Sequence, residues 1–226
     1  MRLYDYILSG NAYKARLILA FLDVKHESTA VDFHPGKEHK SPAFLAINPA
    51  GTLPVLVDGD HILTDSAAIL VYVALNHDPA KTWFPVEQPT FCAQIVSWLA
   101  FAEQLTTSIG VARLHDMLGR DADIQNARAT GHQALRRLDS HLVEQEFKGS
   151  RYLVGKTPTI ADIACFPYTA LAGDGGISLM AYPAVNRWLI SIRSLDGFIE
   201  MPGIHALHGS DTAPDLPWQS GGSERE

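Results

Sequence analysis

The sequence predicts an α/β N-terminal domain followed by an all-α domain, and three observations carry that prediction. Residues 1–78 read as strand, helix, strand, short helix, strand, strand, helix. From Asp78 to Pro89 the composition changes, with Pro79, Pro85 and Pro89 interleaved with Trp83 and Phe84. Beyond that stretch only helical periodicity is found. The expected division is therefore 1–78, a linker over 79–89 with an aromatic anchor, a helical domain over 90–210, and a flexible tail over 211–226 rich in Pro, Gly, Ser and acidic residues.

Each element has its own signal. Arg2 to Leu8 is a run of apolar and aromatic residues that reads as a strand, and Ser9-Gly10-Asn11 breaks it and can cap a helix. Ala15, Ile18, Leu19 and Leu22 recur at i, i+3, i+4 and i+7, one face of that helix. His26 to Phe33 reads as a second strand. Pro35-Gly36 and Lys37-Glu38-His39-Lys40 form an exposed loop, and Ser41-Pro42 starts a short helix. A strand–helix–strand unit implies parallel pairing, and the following hairpin adds antiparallel strands. A helix spans Ser66 to about His77, with Ile69, Leu70 and Val73 inward. In the second half, Thr90 to about Leu118 reads as one long helix and Asp121 to about Phe147 as another. Thr159-Ile160-Ala161-Asp162 resembles a capping box with Asp in place of Glu, which makes Asp162 a folding residue. Pro183 to Leu195 is a further helix.

Composition narrows the function. The 226 residues carry a net charge of −7, which argues against nucleic acid as a main partner. No run of about 18 apolar residues is evident, so neither a spanning helix nor a membrane partner is expected. The two cysteines, Cys92 and Cys165, form no Cys-x-x-Cys pair and read as free thiols in a reducing cytoplasm. The histidines show no metal-ligand spacing, His205 and His208 included, and no metal is expected.

The stretch Asn48 to Ser66 is the most informative. Pro54 stands at the head of a strand with no N–H to give, which leaves one flank of the backbone there free to pair with something outside the sheet. Asp65-Ser66 then offers a carboxylate and a hydroxyl beside the unpaired N–H groups of a helix start. Together these suit a small, extended, peptide-like ligand bearing both an amine and a carboxylate.

On these residues the chain resembles the soluble glutathione transferases, nearer the bacterial serine-using branches. The resemblance rests on Leu8-Ser9-Gly10-Asn11-Ala12-Tyr13-Lys14-Ala15-Arg16, on Gly36 to Leu45, on Ile47-Asn48-Pro49 with Leu53-Pro54-Val55-Leu56, and on Thr64-Asp65-Ser66. In the helical half it rests on Thr159 to Asp162 and on Gly197 to Gly203, and it extends to about Ile204. It implies a thioredoxin-like first domain in which Pro54 is cis. It also implies that the Leu53 backbone pairs with the cysteinyl backbone of glutathione, that Asp65 and Ser66 hold the γ-glutamyl amine and carboxylate, and that His39, helped by Lys40, meets the glycine carboxylate. A homodimer is implied as well.

The chemistry centres on Ser9 and Asn11. A thiol of pKa ~8.5 is mostly protonated at neutral pH, and only the thiolate attacks electrophiles. Lowering that pKa by about two units requires roughly 2.7 kcal/mol in favour of the anion. One hydrogen bond to a charged group supplies about 1.5–3 kcal/mol, and a helix N-terminus about 0.3–1 kcal/mol. Ser9 is read as the main donor to sulfur and Asn11 as its partner or substitute; simple helix capping is the competing reading. No cysteine lies near Ser9, and Ala12 stands where some relatives carry one, so a mixed-disulfide mechanism lacks its nucleophile. The second substrate, a small electrophile, should lie between the domains. Arg113 is the candidate to meet an anionic group on it, with a solvated helix arginine as the alternative. Conjugation, peroxide reduction, dehalogenation and isomerisation all use the same thiolate, and a non-catalytic glutathione- or ligand-binding protein shares the fold.

Overall fold

The computed structural model describes residues 1–201. The expected tail over 211–226, the end of the 90–210 stretch, His205, His208 and the close of the terminal motif lie outside the described residues. The N-terminal half is built on a four-stranded mixed sheet in the order β2-β1-β3-β4. β1 (Arg2–Asp5) pairs parallel with β2 (Glu27–Ala30) and antiparallel with β3 (Val55–Asp58), which pairs antiparallel with β4 (His61–Leu63). α1 (Gly10–Phe21) connects β1 to β2, α2 (Pro42–Ile47) precedes β3, and α3 (Ser66–His77) follows β4.

β1 and β2 are both shorter than the sequence pattern predicts, for local reasons. β1 stops at Asp5 because the Ser9 N–H turns back to the Tyr6 carbonyl at 2.8 Å. β2 stops at Ala30 because the Phe33 N–H closes on the Val31 carbonyl and the Asp32 N–H donates to the Glu38 carboxylate, which lifts the chain off the sheet. α3 follows the expected bounds. Its N-cap is Asp65, and Ile69, Leu70, Val73 and Ala74 are its buried residues.

The helical half comprises α4 (Pro89–Leu105), α5 (Val111–Leu118), α6 (Ile124–Phe147), α7 (Ile160–Ala170) and α8 (Pro183–Arg193). The expected single helix over 90–118 is interrupted by a π-helical turn at Thr106–Gly110. Three successive hydroxyls cause local competition there: Thr106, Thr107 and Ser108 donate back to the carbonyls of Ala102, Glu103 and Gln104. Contrary to the expectation of no spanning segment, Pro89–Leu118 is apolar and long enough to cross a membrane by length and composition. Half of its apolar window is buried inside the protein, and Ile95, Phe101, Leu105 and Ile109 join the core.

Asp162 anchors α7 more firmly than a cap alone. Its Oδ2 accepts from the Thr159 N–H at 2.9 Å, completing the capping box, and its Oδ1 accepts from the Leu153 N–H and the Trp188 indole, each at 2.9 Å. Burial pushes this carboxyl up to about 6 against the pull of those donors.

The two halves meet along α1 and α7. Trp83, in the proline-rich connection, stacks on Phe21 with ring centroids 4.9 Å apart, and its carbonyl accepts from the Ile160 N–H. Gly10 of α1 and Gly110 of the π turn both press on Tyr168, since a Cβ at either would come within 2.9 Å of the ring. Lys14 lies in the same seam, 3% exposed, its ammonium 5.5 Å from the Tyr168 ring centroid. Burial lowers Lys14 from the ordinary 10.5 to about 8, with Cys165, Glu103 and Asp65 opposing. Between those values the unfolded chain holds a proton that the fold releases, so this group's contribution to stability rises with pH across that window. Lys14→Met is accordingly expected to stabilise the protein at pH 7 by about 1–3 kcal/mol, with the gain shrinking as pH approaches 10.5. Denaturant unfolding of both proteins across that range checks this; no gain at neutral pH, or a gain unchanged in alkali, contradicts it.

Candidate active site

Ser9 is the residue on which β1 hands over to α1. Its hydroxyl caps the helix by accepting from the Ala12 N–H at 3.2 Å. A hydroxyl has one proton and two acceptor sites. The cap occupies an acceptor site and leaves the proton for another partner. Asn11, two residues further on, has its Oδ1 buried without a partner among the described residues.

Ser9 and Asn11 open onto a cavity of about 270 Å³ between the two halves, which His39, Lys40, Leu53 and Arg113 also line. Six of the nine residues expected to form the site therefore share one space. His39, 6% exposed, is stacked on Phe33 at 4.1 Å between centroids and has its Nδ1 unpartnered. Burial, reinforced by the charges of Lys40, Arg120 and Lys37, holds its imidazole below the usual histidine value. Lys40 folds over the Ala50–Gly51 turn, its ammonium bonding both carbonyls at 3.2 and 3.0 Å. Gly51 fits there for two reasons: its φ is +57°, and a Cβ would lie 2.7 Å from the His39 carbonyl and 2.8 Å from the Lys40 Nζ. The Leu53–Pro54 bond is cis, as the resemblance implies; so is His34–Pro35.

Pro54, Asp65 and Ser66 are not part of the cavity lining. Pro54 is buried behind Leu53. Asp65 is exposed at the start of α3, where its Oδ1 accepts from the Ala67 and Ala68 N–H groups at 2.8 and 3.0 Å. That leaves Oδ2 without a protein hydrogen bond among the described residues, and half-buried Ser66 stands beside it.

Arg113 is not a solvated helix arginine: it is 4% exposed. Its Nε donates to the Asp174 carboxylate at 2.9 Å and its Nη1 to the Leu8 carbonyl at 2.8 Å, while Nη2 is buried without a partner among the described residues. Its hydrogen bonds thus go to the protein itself. The rest of the helical wall is mostly apolar, with Leu114, Met117, Leu118 and Tyr168, and carries Arg120 as an exposed cation. Burial pushes the Tyr168 phenol up to about 12, so it stays a hydroxyl at neutral pH.

Tyr6, which inside the first strand reads as core packing rather than as a rival to Ser9, lines the cavity, and sequence reasoning missed Phe33, Arg120 and Tyr168 there. Tyr168 carries a helical-period signal on α7, which reads as core; only the docking of α1 beside it turns that face into a seam. Arg120 follows the left-handed Gly119 cap of α5 and has no local signal of its own.

Comparison with known proteins agrees with this architecture. Residues 1–75 match the glutathione S-transferase N-terminal domain and residues 121–190 the C-terminal domain. The chain is 30% identical over 192 residues to glutathione S-transferase 2 of Anopheles gambiae, covering 83% of this chain and 88% of that one. It is 28% identical to a maleylacetoacetate isomerase of Pseudomonas aeruginosa, over 83% and 88% of the two chains. A crystal structure of a glutathione S-transferase from Pseudomonas fluorescens superposes with a TM-score of 0.80 at 31% identity, covering 88% of this chain and 98% of that one. The chain therefore belongs to the glutathione S-transferase superfamily.

Proposed function

We propose that the protein is a glutathione transferase: it binds glutathione in the cavity against the Leu53 backbone at the head of β3, ionises the thiol beside Ser9, and directs the thiolate at an electrophilic small molecule against the helical wall. The observation that carries this reading is the Ser9 hydroxyl, committed as acceptor to the Ala12 N–H, with its proton not donated to any protein group among the described residues, in a residue that lines a cavity between both halves. A thiolate there would receive that proton as a charge-assisted hydrogen bond, with the α1 N-terminus behind it. Asn11 is the second donor. The Leu53 backbone pairs with the cysteinyl unit ahead of Pro54. Neutral His39 donates to the glycine carboxylate, with Lys40 contributing charge from the adjoining turn. Asp65 Oδ2 takes the γ-glutamyl ammonium, and Ser66 with the start of α3 takes its carboxylate.

Attack on a carbon bearing a leaving group gives a thioether and releases that group with its electron pair. Isomerisation uses the same thiolate, which adds and later departs. A disulfide-exchange cycle on protein sulfur has no support among the described residues: Cys165 is buried, with burial holding its thiol well above the usual value, and Ala12 occupies the turn beside Ser9. The unpaired Cys92 and Cys165 suit a reducing cytoplasm. Both halves expose apolar side chains suited to a homodimer, Ile62 and Leu75 on the first and Val96 on the second. Sedimentation is expected to give twice the chain mass, and Val96→Glu to halve it; a monomer from the start removes the dimer from this reading.

Ser9→Ala is expected to lower kcat/KM for an aryl halide by about 10- to 100-fold, the loss of one hydrogen bond to a charged group, while calorimetry still detects bound glutathione. Asn11→Ala should lose less, and the double variant should lose most. Turnover unchanged in the double variant would remove both residues from the chemistry.

A further inference from the structure

We propose that Arg113 and Asp174 form a positioning clamp by which the helical half of the protein sets the place of the Ser9 hydroxyl, so that thiol activation depends on how the two halves dock. The inference rests on the glutathione reading above and adds to it a residue pair that does not touch the thiol.

The turn from Tyr6 to Ser9 has each backbone carbonyl taken. Tyr6 accepts from the Ser9 N–H at 2.8 Å, and Ser9 accepts from the Tyr13 N–H at 2.9 Å. Ile7 accepts from Arg16 Nη2 at 2.9 Å, and Arg16 is itself ion-paired with Asp5. All of these partners lie within the first half. The exception is Leu8, whose carbonyl accepts from Arg113 Nη1 at 2.8 Å across 105 residues of sequence.

That exception falls on the peptide that matters. The Leu8 carbonyl and the Ser9 N–H belong to one rigid, planar unit. Arg113 holds its oxygen end and the Tyr6 carbonyl holds its nitrogen end. With both ends held the Ser9 Cα is located, and the bond from the Ala12 N–H fixes the side-chain rotamer. Release of Arg113 frees the oxygen end, and the plane can tilt about its remaining bond.

Arg113 is in turn oriented from behind. Asp174 accepts from its Nε at 2.9 Å, and the side chains of this pair are 5% and 18% exposed. Asp174 sits in a short 3₁₀ turn, Ala172–Gly175. Gly175 lies so close to α5 that a Cβ there would come within 2.9 Å of the Ala112 side chain and of the Arg113 backbone nitrogen. The carboxylate, the guanidinium and the Leu8 carbonyl therefore form a chain of contacts from the helical half to the Ser9 turn. A planar guanidinium makes both bonds at once, which an ammonium at the end of a flexible stem cannot reproduce.

The test follows the ultraviolet thiolate absorbance of bound glutathione against pH in the wild type, Arg113→Gln, Arg113→Lys and Asp174→Asn, beside thermal unfolding and steady-state kinetics. Arg113→Gln is expected to raise the bound thiol's pKa by about one unit, cutting kcat about tenfold below that pKa, with recovery at alkaline pH and little change in the KM for a neutral aryl halide. Arg113→Lys and Asp174→Asn should shift it in the same direction by less. A folded Arg113→Gln with lowered melting temperature and an unmoved thiol pKa overturns the proposal and leaves a structural strut. A rise in KM confined to carboxylated electrophiles, with the thiol pKa unmoved, overturns it in favour of substrate recognition by Arg113. Should Arg113→Gln not fold, Asp174→Asn, which keeps the guanidinium, decides by the same readouts. A wild type that forms no thiolate overturns the glutathione reading and the clamp with it, whereas unshifted variants overturn the clamp alone.

Discussion

A serine hydroxyl can accept from a helix and still donate elsewhere, and the site depends on that division. Ser9 ends the turn after the first strand and caps α1, so its position is set by backbone geometry on both sides. The helix start contributes partial positive charge in the same direction. On the proposed reading, a thiolate placed there would meet a donor that needs no reorganisation, so a residue without a useful pKa of its own could favour the ionised thiol. The energy required, roughly 2.7 kcal/mol for a two-unit shift, is within the reach of one such bond aided by the helix.

The surrounding fold serves to keep that turn in place and dry on one side. Tyr168 is packed against two glycines, one on α1 and one on the π turn of the helical half. The seam it fills brings an apolar wall to the cavity that Ser9 lines. Chain regions that do not touch in sequence thus share one cavity: the turn at Ser9, the loop at His39, the strand entry at Leu53 and the C-terminal part of α5. Asp65 and Ser66 are not among the residues that line it.

Much of this was legible in the sequence where the cause is local. The cap at Ser9, the proline-started α2, α3 over Ser66–His77 and the capping box at Thr159 each follow from a few adjacent residues. Strand ends were overextended because apolar residues continue past the point where turn hydrogen bonds take over, as at Tyr6 and Val31. The π turn at Thr106–Gly110 is not legible, because a helix reads as continuous until three hydroxyls turn back on its own carbonyls and Gly110 meets Tyr168. Arg113 shows the limit most plainly. Its place on the helix was readable, but its partners, Leu8 and Asp174, lie 105 and 61 residues away and have no signature of their own.

The most direct measurement is the ultraviolet absorbance of glutathione thiolate in the presence of the purified wild-type protein, titrated from acid to alkaline pH. Thiolate appearing about two pH units below the free thiol's pKa of ~8.5 is the predicted result. Glutathione that binds by calorimetry yet ionises only near its free value would contradict activation at Ser9, and absence of binding would contradict the site as a whole.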